Sequence, residues 1–261
     1  MKIYEGLGLQ EEYDVINSYY GIEEIDCSDK EAYKKLLIKE FDESIIKDSK
    51  MLKNMFRVSL ELFLFYLDKM EHNPNKFIEV INNSEYRLVK GNQEINFQSM
   101  ALNKKLDSCD DIVDKNNIMN TCMKRYQDMV ENASKNLSLF MEISNIKKTT
   151  YTNKDMKNTL NNKIKKLQEY EDIHWILSLI NRGLRNKIGH FDVFYDHKDR
   201  VFRDYERNIV CTQAEFNEYN LNIAAFEYGF MATLTLIVLL SWNEVEFLQE
   251  YISKIREYVG I

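Results

Sequence analysis

The chain has 261 residues, of which 44% are apolar and 12% aromatic, and it carries a net charge of −7 at pH 7. This apolar content can fill a buried core, which excludes a disordered chain, and the acidic balance argues against non-specific binding along nucleic acids. Only one proline, Pro74, and eight glycines interrupt the chain. We therefore predict an all-α fold with long helices rather than a turn-rich β fold.

The N-terminal segment, MKIYEGLGLQEEYD, has no apolar run after its lysine. This predicts a chain without a signal peptide and a cytoplasmic location. The cysteines Cys27, Cys109, Cys122 and Cys211 are scattered and form no CxxC pair. Their spacing favours free thiols in a reducing compartment over a disulfide framework or a zinc site.

The first helix signal is Ser28-x-x-Glu31, a capping box that satisfies two amide donors at a helix start. A second helix is predicted from Glu43 to Met70. It is apolar nearly all round after Val58, as expected for a central buried helix, and Pro74 follows its end. We divide the chain into an N-terminal extension with one helix, residues 1–42, and a main helical domain, residues 43–261.

Residues 75–150 form an insertion in the main domain that we leave unassigned. Within it, residues 85–98 (EYRLVKGNQEINFQ) alternate around Gly91, which predicts a small β-hairpin. Residues 116–143 have a helical pattern. Residues 147–162 are polar and rich in lysine, which predicts a loop or an exposed helix start.

One apolar stripe follows, with steps of three or four residues throughout. It comprises Leu160, Ile164, Leu167, Tyr170, Ile173, Leu177, Ile180, Leu184 and Ile188. The spacing predicts one long helix of seven or more turns with these residues facing the core. Gly189 follows the stripe, and we expect it to close the helix in the left-handed conformation.

Beyond Gly189 the pattern changes to an alternation of Phe191, Val193 and Tyr195, followed by a polar turn at 196–199 and Val201. This predicts a second small β-hairpin. Later, a capping box at Thr212-x-x-Glu215 opens a helix that is expected to include residues 221–259.

Residues 223–242 are long enough to span a membrane, but Glu227 lies within them and no clear basic anchor flanks them. We interpret this segment as a core helix rather than a transmembrane span. The chain as a whole is hydrophilic, and no membrane partner is expected.

Positive charge is concentrated between Lys147 and Arg203, where 13 lysines and arginines stand against 7 aspartates and glutamates. A local basic segment in an acidic chain suits phosphate at a single site. A solvated helix face is the alternative.

The segment NRGLRNKIGH, residues 181–190, combines three kinds of chemistry at a predicted helix end. Arg182 and Arg185 are three residues apart and share a face, with Asn186 beside them. Arginine offers a fork of donors that matches phosphate, and histidine, here His190, exchanges protons near neutral pH. This set suits metal-independent cleavage of RNA, in which the 2′-hydroxyl attacks its own phosphate. Alternatively, the arginines complement the helix dipole and His190 caps carbonyls.

Residues 185–190, RNKIGH, with Leu184 before them, resemble the signature of the HEPN family of helical domains: an arginine, a polar residue that is often asparagine, a few more residues and a histidine at a helix end. The resemblance implies an all-α HEPN-like bundle and a metal-independent endoribonuclease without a cofactor. It makes Arg185 and His190 the catalytic pair and Asn186 the assisting residue. It also implies a toxin or phage-defence role, with an antitoxin as a possible partner.

Four further residues are expected to contact RNA: Arg182, Lys187, His197 and Lys198. A metal site at His197 with Asp192 and Asp196 matches no strong ligand spacing, so we predict none.

A symmetric homodimer is also expected, because in-line cleavage benefits from both a base and an acid and the motif supplies one histidine per chain. The resemblance implies the same composite arrangement. Two alternatives stay open: a non-catalytic HEPN-like module that binds a nucleotide or a protein partner, and a helical scaffold in which the motif is coincidental. The intact Arg-Asn-x3-His set favours the enzyme.

Overall fold

The computed structural model describes residues 4, 8–21, 29–107, 112–144, 159–190 and 192–261. In chain order the helices are α1 (Gln10–Tyr20), α2 (Lys30–Lys47), α3 (Lys50–His72), α4 (Pro74–Asp107), α5 (Ile112–Ser144), α6 (Leu160–Leu167), α7 (His174–Ser178), α8 (Arg182–Gly189), α9 (Gln213–Ser241) and α10 (Val245–Val259), and the strands are β1 (Phe194–Asp196), β2 (Val201–Arg203) and β3 (Ile209–Thr212). The structure is mostly helical with one small antiparallel sheet, which confirms the predicted all-α class with a small β insertion.

The centre of the fold is the pair α3 and α9, which lie against each other along much of their length. Gly229 of α9 makes this approach possible, because a Cβ atom there would come within 2.6 Å of Val58. Helix α5 closes the core from another side, where Phe140 contacts Phe226 and Phe230 at ring-centroid distances of 6.0 and 5.7 Å. A second buried cluster joins α2, α3, α9 and α10.

The predicted continuous helix from Glu43 to Met70 is wrong, because the chain breaks between α2 and α3. Asp48 is in the left-handed conformation (φ 36°), and the Ser49 side chain accepts a hydrogen bond from the Leu52 amide to start α3. The start of α2 is capped by Asp29, which accepts from the Ala32 amide at 3.0 Å. The Ser28 of the predicted capping box lies outside the described residues.

The hairpin predicted at residues 85–98 is also wrong, since α4 runs unbroken through this segment. Gly91 sits inside the helix, where an added Cβ would be 3.2 Å from the Asn132 side chain of α5. It therefore serves close packing rather than a turn. The helix predicted for residues 116–143 is confirmed by α5, and the previously unassigned insertion consists largely of the paired helices α4 and α5.

The stripe from Leu160 to Ile188 is not one helix but three short ones, α6, α7 and α8, with a 3-10 turn at Glu171–Ile173. Its orientation was predicted correctly, because Ile164, Leu167, Ile173, Leu177, Ile180, Leu184 and Ile188 are all buried. Two of the three helices begin at polar N-caps, Thr159 for α6 and Asn181 for α8. Their side chains accept hydrogen bonds from the backbone amides of Asn162 and Leu184, respectively. The apolar residues of each short helix therefore face the core, although the chain is not one continuous helix.

The hairpin predicted after Gly189 is confirmed by β1 and β2, and β3 extends it to a three-stranded antiparallel sheet with the order β1-β2-β3. Phe191 lies outside the described residues. Tyr195, Phe202 and Cys211 are paired across the sheet and face the core. Phe194 and Ile209 each pair with Arg203 in the neighbouring row, and both are exposed.

The capping box at Thr212 and Glu215 is confirmed, with both of its hydrogen bonds present at the start of α9. The helix expected to include residues 221–259 is divided, because α9 ends at Ser241 and Asn243 takes a left-handed conformation (φ 61°) before α10. Among the described helices, α9 alone is long and apolar enough to cross a membrane. Of its most apolar window 56% is buried in the fold, as in a core helix.

Candidate functional site

Helix α8 carries the arginine and asparagine side chains of the candidate site, and its position is set by contacts at its start and along its apolar face. The Asn181 side chain caps the helix, and the Tyr126 hydroxyl of α5 donates to the Asn181 carbonyl at 3.1 Å. Leu184 and Ile188 are buried. The opposite face of this short helix is therefore turned outward in a defined orientation.

Arg182, Arg185 and Asn186 line an open cleft of about 460 Å³ between α8, α5 and the start of α6. The remaining lining residues are Glu131, Ser134, Thr159, Leu160 and Asn161. The shared face predicted for the two arginines is thus observed. The wall opposite them consists of one carboxylate together with hydroxyl and amide groups.

Each arginine of the cleft has a partner in the structure. Arg182 donates from Nη1 to the Asn161 side chain. Arg185 forms an ion pair with Glu131 and donates from Nη1 to Asn186 Oδ1 at 3.0 Å. Its Nε is buried and has no hydrogen-bond partner among the described residues. The guanidinium of Arg185 is therefore fixed at the cleft wall and retains one unused donor.

Lys163 attaches the start of α6, which contributes to the wall of the cleft, to α5. Its Nζ donates to the Ser134 carbonyl at 2.7 Å and to Ser138 Oγ at 2.8 Å, and the residue is buried. Thr159 and Asn161 are held next to Arg182 by this anchor. A lysine that reads as part of a solvated basic run in the sequence is a structural cation here.

His190 is the first residue after α8, and its backbone amide donates to the Asn186 carbonyl at 3.1 Å. The residue is exposed, but it does not line the cleft that contains Arg185. His190 is five positions after Arg185, which corresponds to about 140° of rotation around a helix. Gly189 is helical rather than left-handed, so that expectation is wrong. An added Cβ at Gly189 would lie 3.4 Å from Gln127 Nε2 of α5.

The other residues expected to contact RNA do not line the cleft. Lys187 is exposed on α8, and Lys198 is exposed in the turn between β1 and β2. The His197 ring packs edge-on against Tyr195 at 4.6 Å, and its Nε2 is buried without a hydrogen-bond partner in the described part of the chain. Packing against Tyr195 keeps that ring from pointing freely into solvent.

The aspartates near His197 are engaged in the turn. Asp196 accepts from the Arg203 Nε at 3.0 Å and from the amides of Lys198 and Asp199. The hydrogen bond from Arg203 is the main reason that the pKa of Asp196 is lowered. Within the described ranges no group of three or more His, Cys, Asp or Glu side chains could hold a metal ion. Cys122 and Cys211 are buried free thiols, while Cys27 and Cys109 fall outside those ranges.

Several residues of the cleft were missed by the sequence analysis. Glu131 and Ser134 are ordinary positions of a helical pattern, and no local signal indicates that they face α8. Thr159 and Asn161 flank a helix start, but their proximity to Arg182 depends on how α6 packs on α5.

Comparisons with known proteins add no assignment: no family model, no curated protein and no solved structure matches the chain.

Proposed function

We propose that this chain is a HEPN-like, metal-independent endoribonuclease whose active site is built on α8. The observation that carries the proposal is that Arg182, Arg185 and Asn186 line one open cleft, with His190 exposed at the end of the same helix. A cleft of about 460 Å³ accommodates a phosphate and its adjoining sugars. Two arginines at its wall match the charge of the phosphodiester.

The proposed reaction is transesterification followed by release of the leaving strand. The imidazole of His190 takes the proton of the ribose 2′-hydroxyl, and the 2′-oxygen attacks the adjacent phosphorus. Arg185 and Arg182 stabilise the additional negative charge of the phosphorane, with Asn186 orienting a non-bridging oxygen. A protonated imidazole then gives its proton to the departing 5′-oxygen. The products are a 2′,3′-cyclic phosphate and a 5′-hydroxyl.

The geometry implies two adjustments when RNA binds. The Arg185 guanidinium exchanges the Glu131 carboxylate for a phosphate oxygen, because both are anionic acceptors for the same fork of donors. The His190 side chain must reach the phosphate from outside the cleft. A second His190 from a symmetric partner would meet this need and would supply the acid as well as the base.

One observation favours a second candidate, a module that binds a phosphate-containing nucleotide without cleaving it. Arg185 is already ion-paired with Glu131, and His190 stands apart from the cleft. In that case the arginines recognise the phosphates and no proton transfer takes place. The toxin or phage-defence role and the antitoxin partner are part of the proposal by resemblance, and the cytoplasmic location by the N-terminal segment and the scattered cysteines.

Incubation of the purified protein with total RNA in excess EDTA tests the proposed function. We expect cleavage that persists in EDTA and yields 2′,3′-cyclic phosphate ends, and loss of cleavage in Arg185→Ala and His190→Ala. Arg256→Ala and His72→Ala, which change exposed residues away from the cleft, are matched controls and should cleave normally. Strict dependence on added magnesium contradicts the mechanism. Retained RNA binding without cleavage by the wild-type protein supports the nucleotide-binding module instead.

A further inference from the structure

A second polar site lies in the core, away from the cleft, around Glu227 of α9. This glutamate is 3% exposed. Its Oε2 accepts from Asn132 Nδ2 at 2.6 Å and from Asn136 Nδ2 at 3.1 Å, both on α5. The same two amides donate to Asn92 Oδ1 of α4 at 3.0 and 3.1 Å, and Asn92 Nδ2 donates to Asn136 Oδ1 at 3.2 Å. The donors of this network are thus directed at acceptors within it.

The other carboxylate oxygen, Glu227 Oε1, is buried and has no hydrogen-bond partner in the described part of the structure. A buried oxygen left unpaired costs roughly as much as a lost hydrogen bond, so such an atom calls for a further partner, either a water molecule or a bound group. Glu227 lines a cavity of about 110 Å³ with Asn92, Gln93, Ile95, Asn96, Tyr228 and Met231. The Gln93 Oε1 atom is a second buried oxygen without a partner among the described residues.

The chemistry of this cavity calls for a cationic hydrogen-bond donor. Two unpaired oxygens, one of them on a carboxylate, are available, and no lysine, arginine or histidine is among the described residues that line it. Its volume corresponds to a few water molecules, which is the size of an ammonium head with its first methylene groups. A negatively charged ligand would be repelled by the ionised form of Glu227, whereas a cation stabilises that form.

A larger groove of about 520 Å³ adjoins this cavity and shares Gln93, Asn96, Tyr228 and Met231 with it. Apolar side chains from four helices, α2, α3, α9 and α10, line much of its length, including Leu37, Met55, Phe56, Leu236, Tyr251 and Ile255. Glu40 and Glu43 of α2 also line the groove, with Lys47 beside them. Burial, and then the neighbouring Glu43, raise the pKa of Glu40, so a cation near this pair would relieve their repulsion.

We infer that the groove and cavity form a binding site for a linear aliphatic diamine or polyamine. One ammonium group occupies the cavity and donates to Glu227 Oε1 and Gln93 Oε1. The alkyl chain lies along the apolar wall, and a second ammonium group meets Glu40 and Glu43. Each part of the ligand finds the environment that its chemistry requires: charge against carboxylate at both ends and methylene groups against apolar side chains between them.

Binding of the amine requires ionised Glu227, so binding should release a proton and the affinity should depend on pH. Burial raises the pKa of Glu227 to about 8, although hydrogen bonds from Asn132 and Asn136 and the charge of Lys135 oppose this shift. At neutral pH the carboxyl group is therefore mostly protonated. It loses that proton when a cation takes its place, so affinity should rise as the pH is raised from about 6 to 8.

Isothermal titration of the full chain with putrescine and spermidine tests the inference, with butane-1,4-diol as an uncharged compound of the same length. We expect the amines to bind and the diol not to bind. Heats measured in buffers of different ionisation enthalpy should show release of up to about one proton per amine. Failure of wild-type protein to bind either amine, or equal binding of the diol, overturns the proposal.

Glu227→Gln is the decisive variant, because its amide oxygen can still accept from Asn132 and Asn136 while its amide nitrogen replaces the unpaired oxygen. We expect at least about a tenfold loss of amine affinity, the usual consequence of removing a charge-assisted hydrogen bond. Glu218→Gln, on the exposed face of the same helix, is the matched control and should bind as the wild type does. Equal binding by both variants places the amine on the acidic surface and refutes the site.

If Glu227→Gln does not fold, Gln93→Leu keeps the Glu227 network and removes only the second unpaired oxygen. It should weaken amine binding severalfold with an unchanged circular dichroism spectrum. Unchanged affinity in Gln93→Leu contradicts the proposed position of the ammonium group. Because these measurements use binding and not cleavage, their outcome is independent of the proposed nuclease activity.

Discussion

Arg185 is already bound to an anion in the absence of substrate. Glu131 occupies one side of its guanidinium, and Asn186 takes a further donor. Both side chains of the ion pair are partly exposed, so the pair itself contributes little to stability. The ion pair instead affects the affinity for RNA, because a phosphate must displace the Glu131 carboxylate before it can use the same donors.

Glu131→Gln should therefore strengthen RNA binding. The amide keeps the shape of the side chain but does not compete as an anion, and it removes a negative charge from the cleft wall. We expect severalfold tighter binding of a short RNA in a His190→Ala background, where the substrate stays intact, measured by fluorescence anisotropy. Asp128→Asn, which removes a carboxylate from α5 in an exposed pair with Lys124, should leave the affinity nearly unchanged. Weaker binding by Glu131→Gln would mean that Glu131 orients Arg185 rather than competing with phosphate.

The buried carboxyl group of Glu227 should also make the stability of the protein depend on pH. This group stays protonated in the folded protein up to about pH 8, whereas in the unfolded chain it ionises near its ordinary pKa of 4.5. Between these values the folded state binds one more proton, so this group lowers the stability as pH rises, by about 1.4 kcal/mol per unit. Glu227→Gln should remove this slope in urea unfolding at pH 5.5 to 7.5. Glu218→Gln should retain it; a Glu227→Gln protein with the wild-type slope would show that the buried carboxyl is ionised.

At the scale of elements, the α3–α9 contact depends on one glycine. A Cβ atom at Gly229 would be 2.6 Å from Val58 and 2.7 Å from the Met55 carbonyl, and neither the backbone nor a β-branched side chain can yield easily. Gly229→Ala should destabilise the protein by about 3 kcal/mol in chemical unfolding, since the two central helices must separate.

Gly183→Ala is the matched control for this substitution. Gly183 is exposed in α8, and the added methyl group would lie at an ordinary contact distance of 3.5 Å from Asn181 Oδ1. It should stabilise the protein by up to about 1 kcal/mol through helix propensity. If both substitutions have the same small effect, α3 and α9 do not approach as closely as described.

What could be predicted at this scale depended on whether the signal was local. Thr212 and Glu215 lie within one turn, so their capping box was evident, and the three-to-four spacing of Ile164, Leu184 and the rest identified a buried face. The same spacing could not show that α6, α7 and α8 are separate, because each break restores the apolar face to the core. Gly91 gave a turn signal for residues 85–98, yet it lies inside α4 and allows the close approach of Asn132 from α5, which no local pattern contains.

In the candidate site, too, the features set by local sequence could be predicted, and those set by the packing of distant helices could not. The common face of Arg182, Arg185 and Asn186 follows from their spacing on one helix, and it was predicted. Glu131 comes from α5, more than fifty residues earlier in the chain, and only the packing of α8 on α5 brings it to Arg185. The exposed position of His190 outside the cleft depends on Gly189 remaining helical, whereas a left-handed glycine was expected.

At the scale of the whole molecule, α5 is common to both proposed sites. Glu131 and Ser134 face the cleft, and Asn132 and Asn136 bind Glu227 on another side of the same two turns. Consecutive helical residues point about 100° apart, so one helix can serve two separate environments. The small sheet extends the exposed surface that begins at the end of α8. Its outer row places Phe194 and Ile209 on either side of Arg203, with both apolar residues open to solvent.

This outer row is the surface at which we expect a symmetric dimer to form. It follows α8 directly in the chain, so a two-fold axis beside it would bring two His190 residues toward one phosphate. Ile209, 59% exposed, can be changed to aspartate without disturbing the core. Ile209→Asp should give a monomer by light scattering with an unchanged melting temperature and a loss of RNA cleavage. Ile46→Asp, at a residue 84% exposed on α2, is the control and should remain dimeric and active.

Mixed dimers then test whether the two motifs act together. Arg185→Ala and His190→Ala subunits are each expected to be inactive alone. If the composite site draws its arginine from one chain and its histidine from the other, a mixture of the two variants recovers part of the activity, because one of the two possible combinations in each mixed dimer is intact. If both copies of both residues are needed at one phosphate, the mixture stays inactive. A wild-type monomer that cleaves RNA at the full rate under dilute conditions excludes a composite site altogether, and the second imidazole would then have to come from the same chain.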